Sequence, residues 1–422
     1  MFKRFTAIKG EFSKFTSKEK IFIFCMMALG FLISLEYSIT RPASNGIFIT
    51  NLSTRLFPLV WLCTVPVNLF FIHTYNRFLS KLGCLKMFLA FTFSIISLNF
   101  LTGLLVVKVP YLIFIQFILK DIYILFMFKQ MWSLIHATIP KERAKYIYGI
   151  IFGMGGIGSI FGSTIPSFLS VGLGAEKLFF FSAPIYLLAA FFYWKAYLKS
   201  SFQHEPALTD KPFKNISTKE LFQSVKNSKY LVGILSLVIF MQLAISLTDY
   251  QFNQYLELNI SGKDLRTQYC GRLFGLTNII TSCFQFFGGY MLIHLIGLKR
   301  NHLLVPMLLL LNTVTFFLFP TFAMISFSLV AIKSVDHSLF GISREMLYVP
   351  LSTDEKFKAK AVIDIFAYRT ARSFASFFIF ILQGMAFAKI MPIVNIGLIV
   401  IFIAWLFTVV KLFKQKQAES IV

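Results

Sequence analysis

Lys120, Asp121, Lys333, Asp336, Asp364, Arg369 and Arg372 interrupt stretches that are otherwise apolar, and they define the chemistry available to this sequence. An ionisable group at bilayer depth costs about 2.5–3.5 kcal/mol on insertion scales, so each needs a partner, water or a task. Lys333 and Asp336 are spaced to pair along one helical face, and Arg369 and Arg372 share a stripe in the same way. Two arginines on one stripe repel unless an anion sits between them. Lys120, Lys333, Arg369 and Arg372 outnumber the deep carboxylates. That surplus suits an anionic solute, with Arg forks and Lys point charges replacing its hydration. The alternative is that these charges pair across helices and serve packing or gating. Glu36 and Asp249 lie nearer the ends of their apolar runs and read as gate or packing residues. A proton-coupled mode would need a carboxylate that takes up a proton, for which Asp364 and Asp249 are candidates.

Other chemistries lack their residues. Cys25, Cys63, Cys84, Cys270 and Cys283 form no CxxC pair, and the six His show no HExxH spacing. No metal, cofactor or disulfide framework is expected from such spacings. With no nucleophile–base constellation, an enzyme is the least expected class.

The elements that hold these charges can be read from composition. Of 422 residues, 57% are hydrophobic and 14% charged, with 53 Phe and a mean hydropathy of +0.73. Soluble domains average about 45–50% apolar and about 25% charged. A water-soluble enzyme, a secreted disulfide scaffold, a disordered tail and a coiled coil are excluded. The net charge of +23 would suggest nucleic acid in a soluble protein. Here its partner is the lipid bilayer, because cations collect in cytoplasmic loops against the anionic inner leaflet.

Twelve apolar runs are long enough to span: 20–40, 55–75, 86–107, 111–136, 146–171, 176–198, 229–252, 268–293, 302–322, 324–347, 361–388 and 391–411. The first comes after a polar, basic stretch and lacks a small-x-small cleavage site, so it reads as a span and not a signal peptide. Lys and Arg on one set of alternate loops outnumber those on the other by roughly four to one. Both termini and the central loop are therefore expected to be cytoplasmic. The lack of a Ser/Arg-rich transit peptide leans toward a bacterial cytoplasmic membrane.

The central loop divides the chain into residues 1–198, a linker 199–229 and residues 230–422, six spans on either side. Glu36 and Asp249, Lys120 and Lys333, Gly83 and Gly297, and Arg143-Ala144-Lys145 and Lys358-Ala359-Lys360 recur at a separation of about 213–215 residues. The expected fold is an all-α polytopic membrane protein of twelve transmembrane helices in two six-helix repeats. It resembles major-facilitator carriers, which hold solute near the midplane. Gly153-Met154-Gly155-Gly156-Ile157-Gly158 matches a dinucleotide fingerprint by letters but lies inside an apolar run. With Gly149 and Gly162 it reads as small-xxx-small helix packing.

One stretch is more specific. Ser338-Leu339-Phe340-Gly341-Ile342-Ser343-Arg344-Glu345-Met346-Leu347-Tyr348-Val349-Pro350-Leu351, followed by Lys358-Ala359-Lys360-Ala361-Val362-Ile363-Asp364-Ile365-Phe366-Ala367-Tyr368-Arg369, resembles the ATP/ADP translocase (nucleotide transporter) family. Tyr37-Ser38-Ile39-Thr40-Arg41 and Trp132 are consistent with it. The resemblance implies twelve helices and a nucleotide or related phosphorylated solute, with Arg344, Glu345, Asp364 and Arg369 carried over for gating or coupling. Where that family carries further charges, this chain has Pro42-Ala43-Ser44-Asn45, Asp336 and Asn253. The resulting expectation is a carrier working by alternating access, exchanging an anionic solute or moving it with protons. Lys120, Lys333, Arg369 and Arg372 are its anion contacts, and Glu36, Asp249, Asp336, Arg344, Glu345 and Asp364 gate or couple. The alternatives are a proton-coupled carrier of a different solute and a non-transporting relative.

Overall fold

A computed structural model describes residues 15–139, 141–200, 223, 225–285, 295–349, 351, 363, 367–385 and 387–419. Among the described residues every regular element is helical. In chain order these are α1 (Ser17–Leu52), α2 (Phe57–Leu105), α3 (Leu112–Thr138), α4 (Lys141–Leu173), α5 (Ser182–Lys199) and α6 (Lys229–Asn259). Next come α7 (Lys263–Cys283), α8 (Leu298–Leu318), α9 (Phe322–Val335), α10 (Gly341–Leu347), α11 (Tyr368–Leu382) and α12 (Phe387–Glu419). A π-helical turn, Asp336–Phe340, joins α9 to α10, and α2 breaks into two spans at Gly83. Caps close two starts: Ser228 accepts from the Leu231 N–H before α6, and Thr321 from the Met324 N–H before α9.

Nine segments among the described residues are apolar and long enough to cross a membrane. Helices α3, α7 and α11 stand where the fourth, eighth and eleventh spans are expected; the first two carry interrupting charges, and α11 carries Arg369 and Arg372 and is short in its described part. Lys120, Asp121 and Lys129 interrupt α3, while Lys263, Asp264, Arg266 and Arg272 interrupt α7. Phe168 and Phe407 are more than 70% exposed, apolar surface that only lipid can cover. Other phenylalanines, Phe22, Phe48 and Phe88 among them, are fully buried, so the Phe excess serves the interior as well as the lipid face.

The chain forms two compact units. Unit 1 comprises residues 1–51, 67–211 and 262–275; unit 2 comprises 52–66, 212–261 and 276–422. The first part of the second span thus belongs with unit 2, and the first part of the eighth with unit 1. The α7 segment is well anchored in unit 1. Arg266 Nη1 donates to Thr50 Oγ1 at 2.9 Å. Asp264 Oδ1 accepts from the Ala175 N–H at 2.6 Å, and Lys263 pairs with Glu176 at 2.7 Å. In unit 2, Thr54 donates to the Glu257 carboxylate through both its N–H and its hydroxyl. Gln383 Nε2 donates to the Arg55 carbonyl at 2.7 Å.

The glycine run behaves as a packing stripe at some positions and not others. A Cβ on Gly158 would fall on the Phe31 carbonyl, and one on Gly162 on the Leu35 carbonyl. Gly155 faces the Ser34 hydroxyl at Cβ distance 3.2 Å, while Gly149 meets nothing within 4 Å. The internal repeat reaches down to backbone angles. Gly83 has φ 74°, ψ 168°, and Gly297 has φ 80°, ψ 157°, a region open essentially to glycine alone.

Candidate functional site

Unit 1 buries a carboxyl group among neutral donors. Glu36 on α1 is 3% exposed. Its Oε1 accepts from Ser182 Oγ at 2.5 Å and from Asn99 Nδ2 at 3.1 Å. Asn99 Nδ2 also donates to Ser182 Oγ at 2.7 Å. Behind it, Gln116 Nε2 donates to Asn99 Oδ1 at 3.2 Å and Ser44 Oγ to Gln116 Oε1 at 2.7 Å. The Tyr186 hydroxyl faces the same carboxyl. The chain of bonds runs from α1 through α3 and α2 back to Glu36, each donor directed toward the acid. Among the described residues no cation pairs with Glu36. Compensation for its burial comes from hydrogen bonds alone. Glu36→Gln, whose amide oxygen still accepts, should therefore fold nearly as well as the parent. Glu36→Leu leaves the Asn99 and Ser182 donors stranded and should cost about 1–3 kcal/mol. Thermal unfolding in detergent checks this; equal losses in the two variants would show that charge, not hydrogen bonding, holds the residue.

Cations lie nearby in the same unit. Lys120 Nζ sits 3.6 Å from the Phe117 ring centre. The Arg41 guanidinium is 4.4 Å from the Phe274 ring and 5.7 Å from Tyr37, and the Tyr37 hydroxyl donates to Asp121 Oδ1 at 2.9 Å. Arg41 corrects an expectation. The apolar count ends the first span at residue 40, yet α1 continues through Pro42 to Leu52, which makes Arg41 a residue of the helix and not of an outer loop.

Unit 2 contains the corresponding acid in another setting. Asp249 on α6 accepts Lys333 Nζ of α9 at 2.5 Å, their side chains 18% and 9% exposed. Lys333 thus reaches across to α6, and Asp336 on its own helix is a charged neighbour. Asp336 keeps α-helical register, its N–H bonded to the Ile332 and Lys333 carbonyls, and the π turn that begins there shifts only the residues after it. Asp336 Oδ2 stands 3.9 Å from His337 Nδ1, with Arg344 and Gln242 also near it. Arg372 on α11 lies 5.0 Å from the Trp61 ring. Arg344 is 3.7 Å from Glu345, whose side chain is half exposed. Asp364 lies outside the described residues; Arg369 falls in the first turn of α11, its side chain outside them.

Asn99, Gln116, Ser182 and Ser44 are the functional candidates that charge counting misses. Their signal is faint: neutral amides and hydroxyls in apolar runs, which must find partners when buried.

Residues 177–416, more than half of the chain, match the model of the family described as TLC ATP/ADP transporter. The chain belongs to the TLC ATP/ADP transporter family. ADP,ATP carrier protein 1 of Chlamydia trachomatis serovar D is 24% identical over 340 residues, covering 68% of this chain and 62% of that protein. ADP,ATP carrier protein 1 of Chlamydia pneumoniae is 25% identical over 230 residues, 49% of this chain and 44% of that protein. The chain thus spans less than two thirds of the length of these curated relatives. The crystal structure of the nucleoside transporter NupG (D323A mutant) superimposes with a TM-score of 0.69, covering 93% of this chain and 100% of that one at 12% identity. The fold is that of major-facilitator transporters. The TLC match contains Asp249, Lys333, Asp336, Arg344, Glu345, Asp364, Arg369 and Arg372, whereas Glu36 and Lys120 precede it.

Proposed function

We propose that this protein is a secondary carrier moving an anionic nucleotide, or a related phosphorylated metabolite, by alternating access. The observation that carries the reading is a cation against an aromatic face in each unit: Lys120 on Phe117 and Arg41 on Phe274 in unit 1, Arg372 on Trp61 in unit 2. Phosphate oxygens call for the first partner and a base ring for the second. Membership in the TLC family supports the same solute class. Lys120, Arg369 and Arg372 serve as anion contacts, with Arg41 added to them. Lys333 joins when an arriving anion competes with Asp249 for its ammonium, so that this pair works as a gate. Glu36, Asp336, Arg344, Glu345 and Asp364 couple or gate, by exchange or with protons. The two halves, 1–198 and 230–422, move about the linker 199–229. The Lys and Arg bias supports cytoplasmic termini.

Uptake of labelled ATP, then of other nucleotides, into proteoliposomes tests this, with unlabelled competitors and an Arg369→Ala control. Saturable, competable uptake lost in the variant is the expected result. The pairing of Lys333 with Asp249 favours a second reading, a proton-coupled carrier of a different solute. Folded protein that takes up no nucleotide, yet moves another solute down a proton gradient, would overturn the first reading in favour of the second.

A further inference from the structure

We infer that a groove between the start of α6 and the end of α12, both in unit 2, binds the headgroup of an anionic phospholipid. The groove encloses about 500 Å³. Lys226, Lys229 and Lys411 rim it, all three exposed, and among the described residues none has a carboxylate partner. Three ammonium groups around one depression repel each other unless an anion shares it.

Their level identifies the anion. The apolar span of α6 begins at Lys229, and that of α12 runs from Lys389 to Lys414, so the lysines stand where hydrocarbon gives way to headgroups. Basic pockets between transmembrane helices at this depth suit lipid phosphates. The floor is Val232, Gly233 and Leu412. A Cβ on Gly233 would come 2.6 Å from Leu412 Cδ1, so the glycine lets Leu412 pack down on α6. Phe407, 72% exposed, stands one helical turn before Lys411 on the same side of α12 and continues apolar surface from the groove, which is what acyl chains cover.

The remaining groups argue against a soluble anion. Ser236 Oγ donates to the Val232 carbonyl at 2.9 Å and Thr408 Oγ1 to the Ala404 carbonyl at 2.8 Å. Their protons are spent on the helices, and the lysines alone have protons to offer. Among the described residues no aromatic ring lines the groove, so a nucleobase has no stacking partner there. An anionic headgroup with chains running down the helix face satisfies both the charge and the apolar flank.

Native mass spectrometry of the full-length protein in detergent tests the assignment with three probes: phosphatidylglycerol, phosphatidylcholine and inorganic phosphate. The parent should retain phosphatidylglycerol in preference to phosphatidylcholine, and millimolar phosphate should not displace it. Lys226→Gln/Lys229→Gln/Lys411→Gln should lower phosphatidylglycerol retention by about tenfold or more. Lys81→Gln/Lys86→Gln/Lys299→Gln, with the same charge change elsewhere, should retain it. Equal retention of the two lipids by the parent overturns the assignment without any variant. So does displacement by phosphate, which would make the groove an ion site. Equal loss in both triple variants would reduce the effect to overall charge and overturn it as well.

Discussion

Lys333→Met should destabilise this protein more than Lys333→Met combined with Asp249→Asn. The 2.5 Å pair is largely buried on both sides, and the single change leaves Asp249 as a carboxylate with no counter-charge on Lys333. Breaking a buried pair costs about 3–5 kcal/mol, whereas neutralising both partners is often close to neutral. For units of this size the single variant should unfold on the order of 10 °C lower, with the double variant recovering most of that. Thermal unfolding of purified protein in detergent reads both. Uptake gives a second readout. Asp249→Asn removes the carboxylate that an arriving anion would displace from Lys333, so a gate built on that competition should stop cycling in whatever fraction of the variant folds. Single and double variants of equal stability would remove the pair from the structural argument, and uptake surviving Asp249→Asn would remove it from the gate.

Gly158→Leu should abolish the folded protein. Helix α4 lies on α1 with nothing between them: positions for a Cβ on Gly158 and Gly162 coincide with the Phe31 and Leu35 carbonyls. These glycines and these carbonyls are each one helical turn apart, so the two backbones run in register. Helices associate in lipid through such close approach, because apolar area alone does not distinguish a neighbour from a lipid tail. The nearest atoms are backbone, which cannot swing aside, so even Gly158→Ala should cost about 1–3 kcal/mol. Size-exclusion profiles of detergent extracts would show a folded peak for the parent and none for Gly158→Leu. Gly149→Leu is the control, since a side chain there meets open space. A monodisperse Gly158→Leu protein would mean that α1 and α4 can part without loss.

A feature is legible in the sequence when it leaves a local trace. Apolar runs betray the spans because a run is a local property, and Gly83 and Gly297 betray the repeat because one backbone conformation demands one residue type at both. The stripe at Gly158 and Gly162 is legible for the same reason. The end of α1 is not. Pro42, Ser44 and Asn45 look like a stop to a hydropathy count, yet Ser44 is spent on Gln116 and Gly46 makes room for Thr267. The partner of Lys333 escapes a spacing argument because spacing along one helix reports only on that helix, and the closer acid lies on α6. The network around Glu36 leaves no outline, since Asn99 and Ser182 lie 63 and 146 residues from it in sequence. Neutral amides carry no charge to count.

The exchanged segments dictate an order of assembly. Residues 262–275 complete unit 1, but the ribosome makes them after the central loop and the whole of α6. Until then Gly46 and Thr50 of α1 have no Thr267 or Arg266 to meet. The reverse holds for residues 52–66: Trp61 and the Arg55 carbonyl are synthesised early and wait for Arg372 and Gln383. Neither unit can be finished as its own stretch of chain emerges, so contacts of very long sequence separation close last, as slow folding topologies require. Chains truncated just before residue 262 and released should hold inserted helices α1 to α6 and no completed unit.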